Sequence, residues 1–594
     1  MQDKLLELRQ LMRNNQIDAY VIPSGDAHAS EYTSDYWRAR QWFSGFTGSA
    51  GTVVVTMDTA GVWTDGRYFI QAERELDGTE FELFKSGQPD VPTYTKFLAD
   101  NLPENGKLGF DGRIVTASEF ERIKAALKDK SIKYFYKEDL VGQIWQDRPA
   151  LPTEPAFEHA PNFAGTPASE KLANVRTKMK EKNVTAYLVP ALDDIAWLLN
   201  IRGRDMEALP VVYAYALITD AEAHVFIDPA KIKDVAAKLT FQGFTLHPYD
   251  ALPEKLSGLK TAQLYYNPEN TNVLLSEAIP PNIKTAKKAG DDIIVAMKCV
   301  KSDAEVANIK NAFIKEGVVM VKAIKWLEDS IGKVPLECDV VDILKTFRGE
   351  QEHYLCDSFS TISAYGANAA QAHYRPEDGG AEIKPDTFYL LDTGGQYLDG
   401  TTDTTRTLCL CEPTAEMKRD YTLVLKGNIA LSRAIFPDKT LGMALDVLAR
   451  QAIWEDGQNF GHGTGHGLGY CLSVHEGPQG ISPRINKTGL VAGMLLSNEP
   501  ALYKEGCYGI RTENILLVVE NKKTSAGTFL AFETLTHCPI DTKAIDTTML
   551  TDTECKWLNA YHSRTYDTLS PHLNEDERAW LKAKTEPISY TVVF

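Results

Sequence analysis

Phe388-Tyr389-Leu390-Leu391-Asp392-Thr393-Gly394-Gly395-Gln396-Tyr397-Leu398-Asp399-Gly400-Thr401-Thr402-Asp403-Thr404-Thr405-Arg406-Thr407 reads as an apolar strand that ends in an acid, Asp392, with a second acid, Asp403, eleven residues on after Gly-rich turns. A carboxylate carried on a run like Tyr389 to Leu391 is costly to bury alone and asks for a cation. Taken singly, each acid reads equally well as a turn residue, Asp392 capping one and Asp403 opening one. Further on, Gly461-His462-Gly463-Thr464-Gly465-His466-Gly467-Leu468-Gly469 has two histidines four residues apart, as a zinc-binding helix would. Five of its nine residues are glycine and no Glu follows His462. Each glycine costs a helix about 1 kcal/mol relative to alanine, so a loop is predicted, with backbone approaching something closely. His475 follows in Val474-His475-Glu476-Gly477-Pro478.

Two more acids sit in strand-like settings. Glu499 ends the run Met494-Leu495-Leu496-Ser497-Asn498 before Pro500, and Glu513 enters Asn514-Ile515-Leu516-Leu517-Val518-Val519 with Arg511 nearby. Each signal is weak alone. As a set, Asp392, Asp403, His466, Glu499 and Glu513 are four carboxylates and one imidazole. Gathered in one site the carboxylates would repel, and two divalent cations would neutralise them. Oxygen-dominated ligation favours hard ions such as Mn²⁺. Two ions ~3.5–4 Å apart share a hydroxide and aim it at a carbonyl.

Outward from this region the chain repeats itself once. Leu5-x-x-Leu8-Arg9-x-x-Met12, Ala19-Tyr20-Val21-Ile22-Pro23 and Asp26 return 167 residues later as Leu172-x-x-Val175-Arg176-x-x-Met179, Ala186-Tyr187-Leu188-Val189-Pro190 and Asp193. Each copy reads as a helix, a polar turn and a buried strand, followed by further strands. Two copies are too few for a solenoid, so two homologous α/β domains are expected, at 1–150 and 151–296. Arg148-Pro149-Ala150-Leu151-Pro152-Thr153-Glu154-Pro155 links them. The capping box Ser302-x-x-Glu305 opens a helix with Val306, Ile309, Phe313, Met320 and Ile324 on one side and Gly317 in the remaining step. It begins the third domain, 297–594, whose tail from about 541 is predicted helical, with a cap at Asn574-x-x-Glu577.

Composition excludes several classes. The 594 residues are 43% hydrophobic and 24% charged, so there is ample core for three or four domains and no general disorder. No apolar run approaches the ~18–20 residues of a membrane span. The amino-terminal leucines alternate with charges, unlike a signal peptide. A net charge of −18 repels phosphate backbones and anionic lipid, so neither nucleic acid nor membrane is an expected partner. Nine cysteines, with none before Cys299 and no C-x-x-C, point to a reducing, cytoplasmic location.

The order Asp-x10-Asp, His, Glu, Glu resembles the pita-bread metallopeptidases, and within them the three-domain, cytosolic-type Xaa-Pro aminopeptidases. The resemblance extends to Phe43-Ser44-Gly45-Phe46-Thr47-Gly48-Ser49-Ala50-Gly51, Trp63-Thr64-Asp65-Gly66-Arg67-Tyr68 and Ala191-Leu192-Asp193-Asp194-Ile195-Ala196-Trp197-Leu198-Leu199-Asn200. It implies an α/β (α+β) architecture, with two homologous N-terminal domains and a pseudo-symmetric catalytic domain built on a curved antiparallel sheet. It implies two divalent ions, Mn²⁺ above others: Asp392 chelating one, Asp403 and Glu513 bridging, His466 and Glu499 completing the other. Glu499 would also accept the proton of the bridging water. His373, in Gln371-Ala372-His373-Tyr374, would hydrogen-bond the substrate, His475 would stabilise the tetrahedral intermediate or shuttle a proton, His462 would line the proline pocket, and Arg511 would orient Glu513 or the cluster. The stretch Gly366–Ala372 departs from the commoner family version, which bears on substrate contacts. The implied activity is release of the first residue from peptides with proline second, by a homodimer. A tertiary Xaa-Pro amide has no N–H to grip, so its carbonyl must be polarised and its ring fitted in an apolar pocket. Prolidase shares the five ligands but does not need the extra middle domain, and methionine aminopeptidase needs neither N-terminal domain. A non-catalytic peptide-binding relative would lack ligands, and all five are present.

Overall fold

The computed structural model describes residues 2–287, 292–376 and 378–589; the parts of the expected domains at 1, 288–291, 377 and 590–594 lie outside them. The chain divides into two compact units, Met1–His159 with Thr166–Ile294, and Ala160–Gly165 with Val295–Phe594. No described helix is long and apolar enough to cross a membrane.

The first unit holds two six-stranded mixed sheets of one topology. The strand order is Glu82–Lys85, Ala60–Thr64, Thr52–Thr56, Ala19–Pro23, Lys107–Phe110, Lys133–Phe135 in one, and Thr245–His247, Ala223–Ile227, Ala214–Thr219, Ala186–Val189, Gln263–Tyr266, Lys284–Lys287 in the other. In both, the repeat's own strand is antiparallel to its second-strand neighbour and parallel to the fifth. The helix before each strand buries the repeated apolar positions, Leu5, Leu8 and Met12 in Gln2–Asn14, and Leu172, Val175 and Met179 in Ala168–Glu181. The repeated arginine has one job in both copies: Arg9 Nε donates to Thr56 O at 2.9 Å and Arg176 Nε to Thr219 O at 3.0 Å, tying helix to sheet. Residues 148–155 have no regular structure between the two sheets.

The second unit alternates helix pairs with antiparallel strands. Asp303–Ser330, opened by the Ser302/Glu305 capping box, and Glu337–Gly349 precede the strands Ile362–Tyr365, Phe388–Thr393 and Thr404–Cys409. Ala415–Ser432 and Gly442–Glu455 precede Leu495–Asn498, Asn514–Thr524 and Gly527–Thr534. The tail differs from expectation. Residues 541–551 are not helical, because Asp541 accepts from the N–H groups of Cys409 and Lys543, and Asp546 from that of Thr548. Short acidic side chains that satisfy local backbone in this way compete with helix. Helix begins at Asp552, runs to Leu569, and resumes at Glu575–Lys584 behind the Asn574/Glu577 box.

Gly317 marks the contact between the long helix and this tail. A Cβ there would lie 2.5 Å from His537 O and 2.8 Å from Leu569 Cδ2. Gly317→Ala is therefore expected to overpack the contact and to destabilise the protein by about 1–3 kcal/mol, read as a lower denaturation midpoint. An unchanged midpoint would show that the tail is not pressed against the helix.

Candidate active site

Two antiparallel strand pairs present the four acids at or beside their ends. Phe388–Thr393 and Thr404–Cys409 set Thr393 opposite Thr404, which leaves Asp403 just past that end and Asp392 one residue inside it, opposite Thr405. Gly394 makes the return tight, since a Cβ there would lie 1.9 Å from Thr402 O. Leu495–Asn498 and Asn514–Thr524 set Asn498 opposite Asn514, so Glu499 and Glu513 are the next residues past that end. The two pairs are stitched together: the Glu513 N–H donates to Thr405 O at 3.1 Å, and the Thr405 hydroxyl to Glu513 Oε2 at 2.8 Å.

His466 joins them from a neighbouring element. The glycine-rich stretch around it is not wholly a loop: Gly465–Gly467 is a short strand paired with Glu476–Ile481. The close backbone approach is strand against strand, with a Cβ at Gly465 falling 1.9 Å from Ser497 O and one at Gly467 2.1 Å from Glu476 O. The Ser497 hydroxyl accepts from the His466 N–H at 2.9 Å and donates to Glu499 Oε1 at 3.3 Å. His466 Nδ1 donates to Gly467 O at 2.8 Å, which leaves Nε2 with its lone pair facing the acids.

This donor set suits a metal. His466 Nε2 stands 3.5 Å from Asp403 Oδ2 and 3.6 Å from Glu499 Oε1, too long for hydrogen bonds. Ligand atoms sharing one ion at bond lengths of about 2.0–2.2 Å stand about 3–3.5 Å apart. One ligand atom each from Asp403, His466 and Glu513 falls within 4.8 Å of the others. Asp392 Oδ1 is buried and meets no donor among the described residues. Burial pushes the Asp392 carboxyl up, opposed by Arg511. Burial, reinforced by the neighbouring acids, pushes Asp403 and Glu513 well above the ordinary range. So many carboxyls ionise together only beside added positive charge.

Arg511 supplies some. Its Nη2 donates to Asp392 Oδ2 at 2.5 Å, Nε to the Thr405 hydroxyl at 3.2 Å, and Nη1 to the Tyr503 hydroxyl at 2.6 Å. Tyr503 in turn lies 2.8 Å from His462 Nε2, and His462 Nδ1 lies 2.8 Å from Gly463 O. Burial lowers the His462 pKa and raises that of Tyr503 to about 12. The exposed His475 ring meets the His466 ring edge-on, centroids 4.4 Å apart. His373 is exposed as well, after the Gly366–Ala370 turn. That turn presses on the strand of Arg511, for a Cβ at Gly509 would lie 1.8 Å from Ala369 O. Thr405, Ser497 and Tyr503 carry no mark in the sequence as site residues. Tyr503 alone has a cue: the Gly506 turn folds Ala501–Lys504 onto Tyr508–Arg511, with Tyr503 opposite Gly509 and so diagonal to Arg511.

Comparison with known proteins agrees with this arrangement. The profile of Metallopeptidase family M24 matches residues 307–520, and that of its C-terminal region residues 528–588. Creatinase/Prolidase N-terminal domain profiles match 4–137 and 147–305. A probable Xaa-Pro aminopeptidase P of Laccaria bicolor is 41% identical over 99% of this chain and 93% of its own length. The crystal structure of X-prolyl aminopeptidase from Caenorhabditis elegans, described as a cytosolic enzyme with a di-nuclear active site, superposes with a TM-score of 0.94 at 36% identity, covering 99% of both chains. An Xaa-Pro dipeptidase from Bacillus anthracis matches at 25% identity and a TM-score of 0.50, covering 99% of that chain but 63% of this one. With this three-domain arrangement and relatedness along its whole length, the chain belongs to the Xaa-Pro aminopeptidase P family of M24 metallopeptidases.

Proposed function

We propose that the protein removes the first residue from peptides with proline second. The observation that carries this reading is the convergence of four carboxylates and His466 on one point in a chain related to such enzymes from end to end. Asp392, Asp403, His466, Glu499 and Glu513 would hold two divalent ions, with Asp392 on one, Asp403 and Glu513 shared, and His466 and Glu499 on the other. Mn²⁺ suits this oxygen-rich set. When bound, the ions supply Lewis-acid polarisation of the scissile carbonyl and a water acidic enough to attack at neutral pH.

The protein's own groups do the rest. Glu499, steadied by the Ser497 hydroxyl, takes the proton of the attacking water and returns it to the proline nitrogen, which must be protonated to leave. His475 and His373, both exposed, are assigned to the tetrahedral intermediate and to the substrate backbone. His462 lines the proline pocket, and Arg511 orients Asp392. We read the domains as 1–150, 151–296 and 297–594, the helices from Asp552 onward extending the third.

We also place the protein in the cytoplasm, because all nine cysteines are free. We infer a homodimer from the helix Gly442–Glu455, where Met443, Val447 and Trp454, 40%, 42% and 46% exposed, fall on one side at helical spacing.

On stripping metal and restoring Mn²⁺, the protein should release Arg from Arg-Pro-Pro, and Asp403→Ala should lose this by more than the ~10²-fold of a change beyond the ligands. Hydrolysis of Ala-Pro alone would reassign it as a prolidase. Failure to bind metal would sink the peptidase reading and favour a non-catalytic peptide-binding one. In sedimentation velocity, Trp454→Glu is expected to convert dimer to active-site-competent monomer; a parent protein that is monomeric at micromolar concentration would refute the dimer.

A further inference from the structure

Asn428 lies in the interior of the helix Ala415–Ser432 and is fully buried. Asparagine is a poor helix former and a poor core residue, so its presence there needs a compensating bond. Its side-chain amide donates to two carbonyls, Asn498 O at the end of one strand at 2.9 Å and Thr512 O just before another at 3.1 Å. These are the peptides immediately before Glu499 and Glu513. Asn498 answers by donating its own amide to Asn428 O at 2.8 Å and to the Ser432 hydroxyl at 3.0 Å. The orientation of the Asn428 amide is fixed, since a flip would set its oxygen against two carbonyl oxygens. Its Oδ1 meets no donor among the described residues. A buried amide that leaves its acceptor unpaired adds little net stability. The arrangement keeps the donors.

The far side of the Glu513 peptide is held separately, by Arg406 Nη1 on Glu513 O and by Glu513 N–H on Thr405 O. The Glu499 N–H donates to Thr464 O. With these ends fixed, Asn428 is the one hydrogen-bonding side chain among the described contacts that touches both glutamate-bearing segments. We propose that Asn428 is a positioning residue that sets the distance between Glu499 and Glu513, and through it the occupancy of the second metal position. The proposal rests on the two-ion reading above.

The test is Mn²⁺ titration of the full-length protein by calorimetry, with electron paramagnetic resonance to detect a spin-coupled pair. Asn428→Leu keeps the branching and the heavy-atom count and removes both donors, while Asn428→Ser keeps one donor and guards against a Leu variant that does not fold. Thr422→Ala, on the same buried helix but bonded to Lys418 O and the Asp546 N–H, is the stability control. The expected result is a 10–100-fold weaker second Mn²⁺ and loss of the coupled signal in Asn428→Leu, a smaller effect in Asn428→Ser, and neither in Thr422→Ala. In turnover, kcat should fall with KM nearly constant. Two ions bound as tightly as in the parent, with the coupled signal intact in folded Asn428→Leu or Asn428→Ser, would overturn the proposal. An equal loss in Thr422→Ala would reduce it to general destabilisation. A parent protein that binds fewer than two Mn²⁺ would instead bring down the two-ion reading itself.

Discussion

Asp392, Asp403, Glu499 and Glu513 repel one another in a setting where burial already disfavours an ionised carboxyl, and the rest of the catalytic unit is arranged around that conflict. Left to themselves the four side chains would swing apart, or Asp392, Asp403 and Glu513 would stay protonated. The backbone prevents the first outcome. Asp392 is paired one residue inside a strand end and the other three acids adjoin one, so each Cα is fixed by a ladder that runs back into the core. Positive charge opposes the second. Arg511 is bonded to Asp392 directly, and Arg406, fully buried, bonds only neutral oxygens among the described residues: Thr405 O, Glu513 O, Cys538 O, Pro539 O, the Asn514 amide and the Tyr561 hydroxyl. None of these partners is a carboxylate that would cancel its charge.

The helices behind the strands have the same duty in each half. Behind Asp392, Arg348 on the helix Glu337–Gly349 pairs with Glu316 at 2.6 Å and reaches the Thr393 hydroxyl at 2.7 Å. Behind the glutamates, Asn428 holds two carbonyls. A buried, hydrogen-bonded polar group is an expensive way to gain stability, but it fixes geometry in a way that apolar packing does not. Metal ligation tolerates displacements of only a few tenths of an ångström, so the expense falls where geometry matters.

Much of this could be read from the amino acids because the features concerned are local or periodic. The repeat at 167 residues carried its arginine with it, and Arg9 and Arg176 make one hydrogen bond in two places. The glycines around His466 announced a close approach, although not that the neighbour would be a strand. Gly317 stood out as a gap in an apolar stripe, and the gap is filled by His537 O. What escaped depends on long-range pairing. Helix was expected from residue 541, whereas Asp541 spends its carboxylate on the distant Cys409 N–H. Asn428 and Thr405 look like any other residues of a helix or strand until partners 70 to 108 positions away are brought beside them.

The hydrogen-bond directions also divide the labour among the histidines. Arg511 has only donors, so the Tyr503 oxygen accepts from it and points its hydrogen elsewhere. Its partner is His462 Nε2, which must then be the acceptor, and this places the ring proton on Nδ1 facing Gly463 O. Tyr503 keeps its proton, because burial raises its pKa to about 12, and burial likewise disfavours a second proton on His462. The run Arg511, Tyr503, His462, Gly463 is therefore saturated and one-way, with no proton to lend at neutral pH. His462 is thereby suited to shaping the pocket rather than to protonating a departing proline nitrogen. That transfer falls to groups outside this run: Glu499, whose Oε1 accepts a 3.3 Å bond from the Ser497 hydroxyl, and the exposed His475, whose ring meets that of His466.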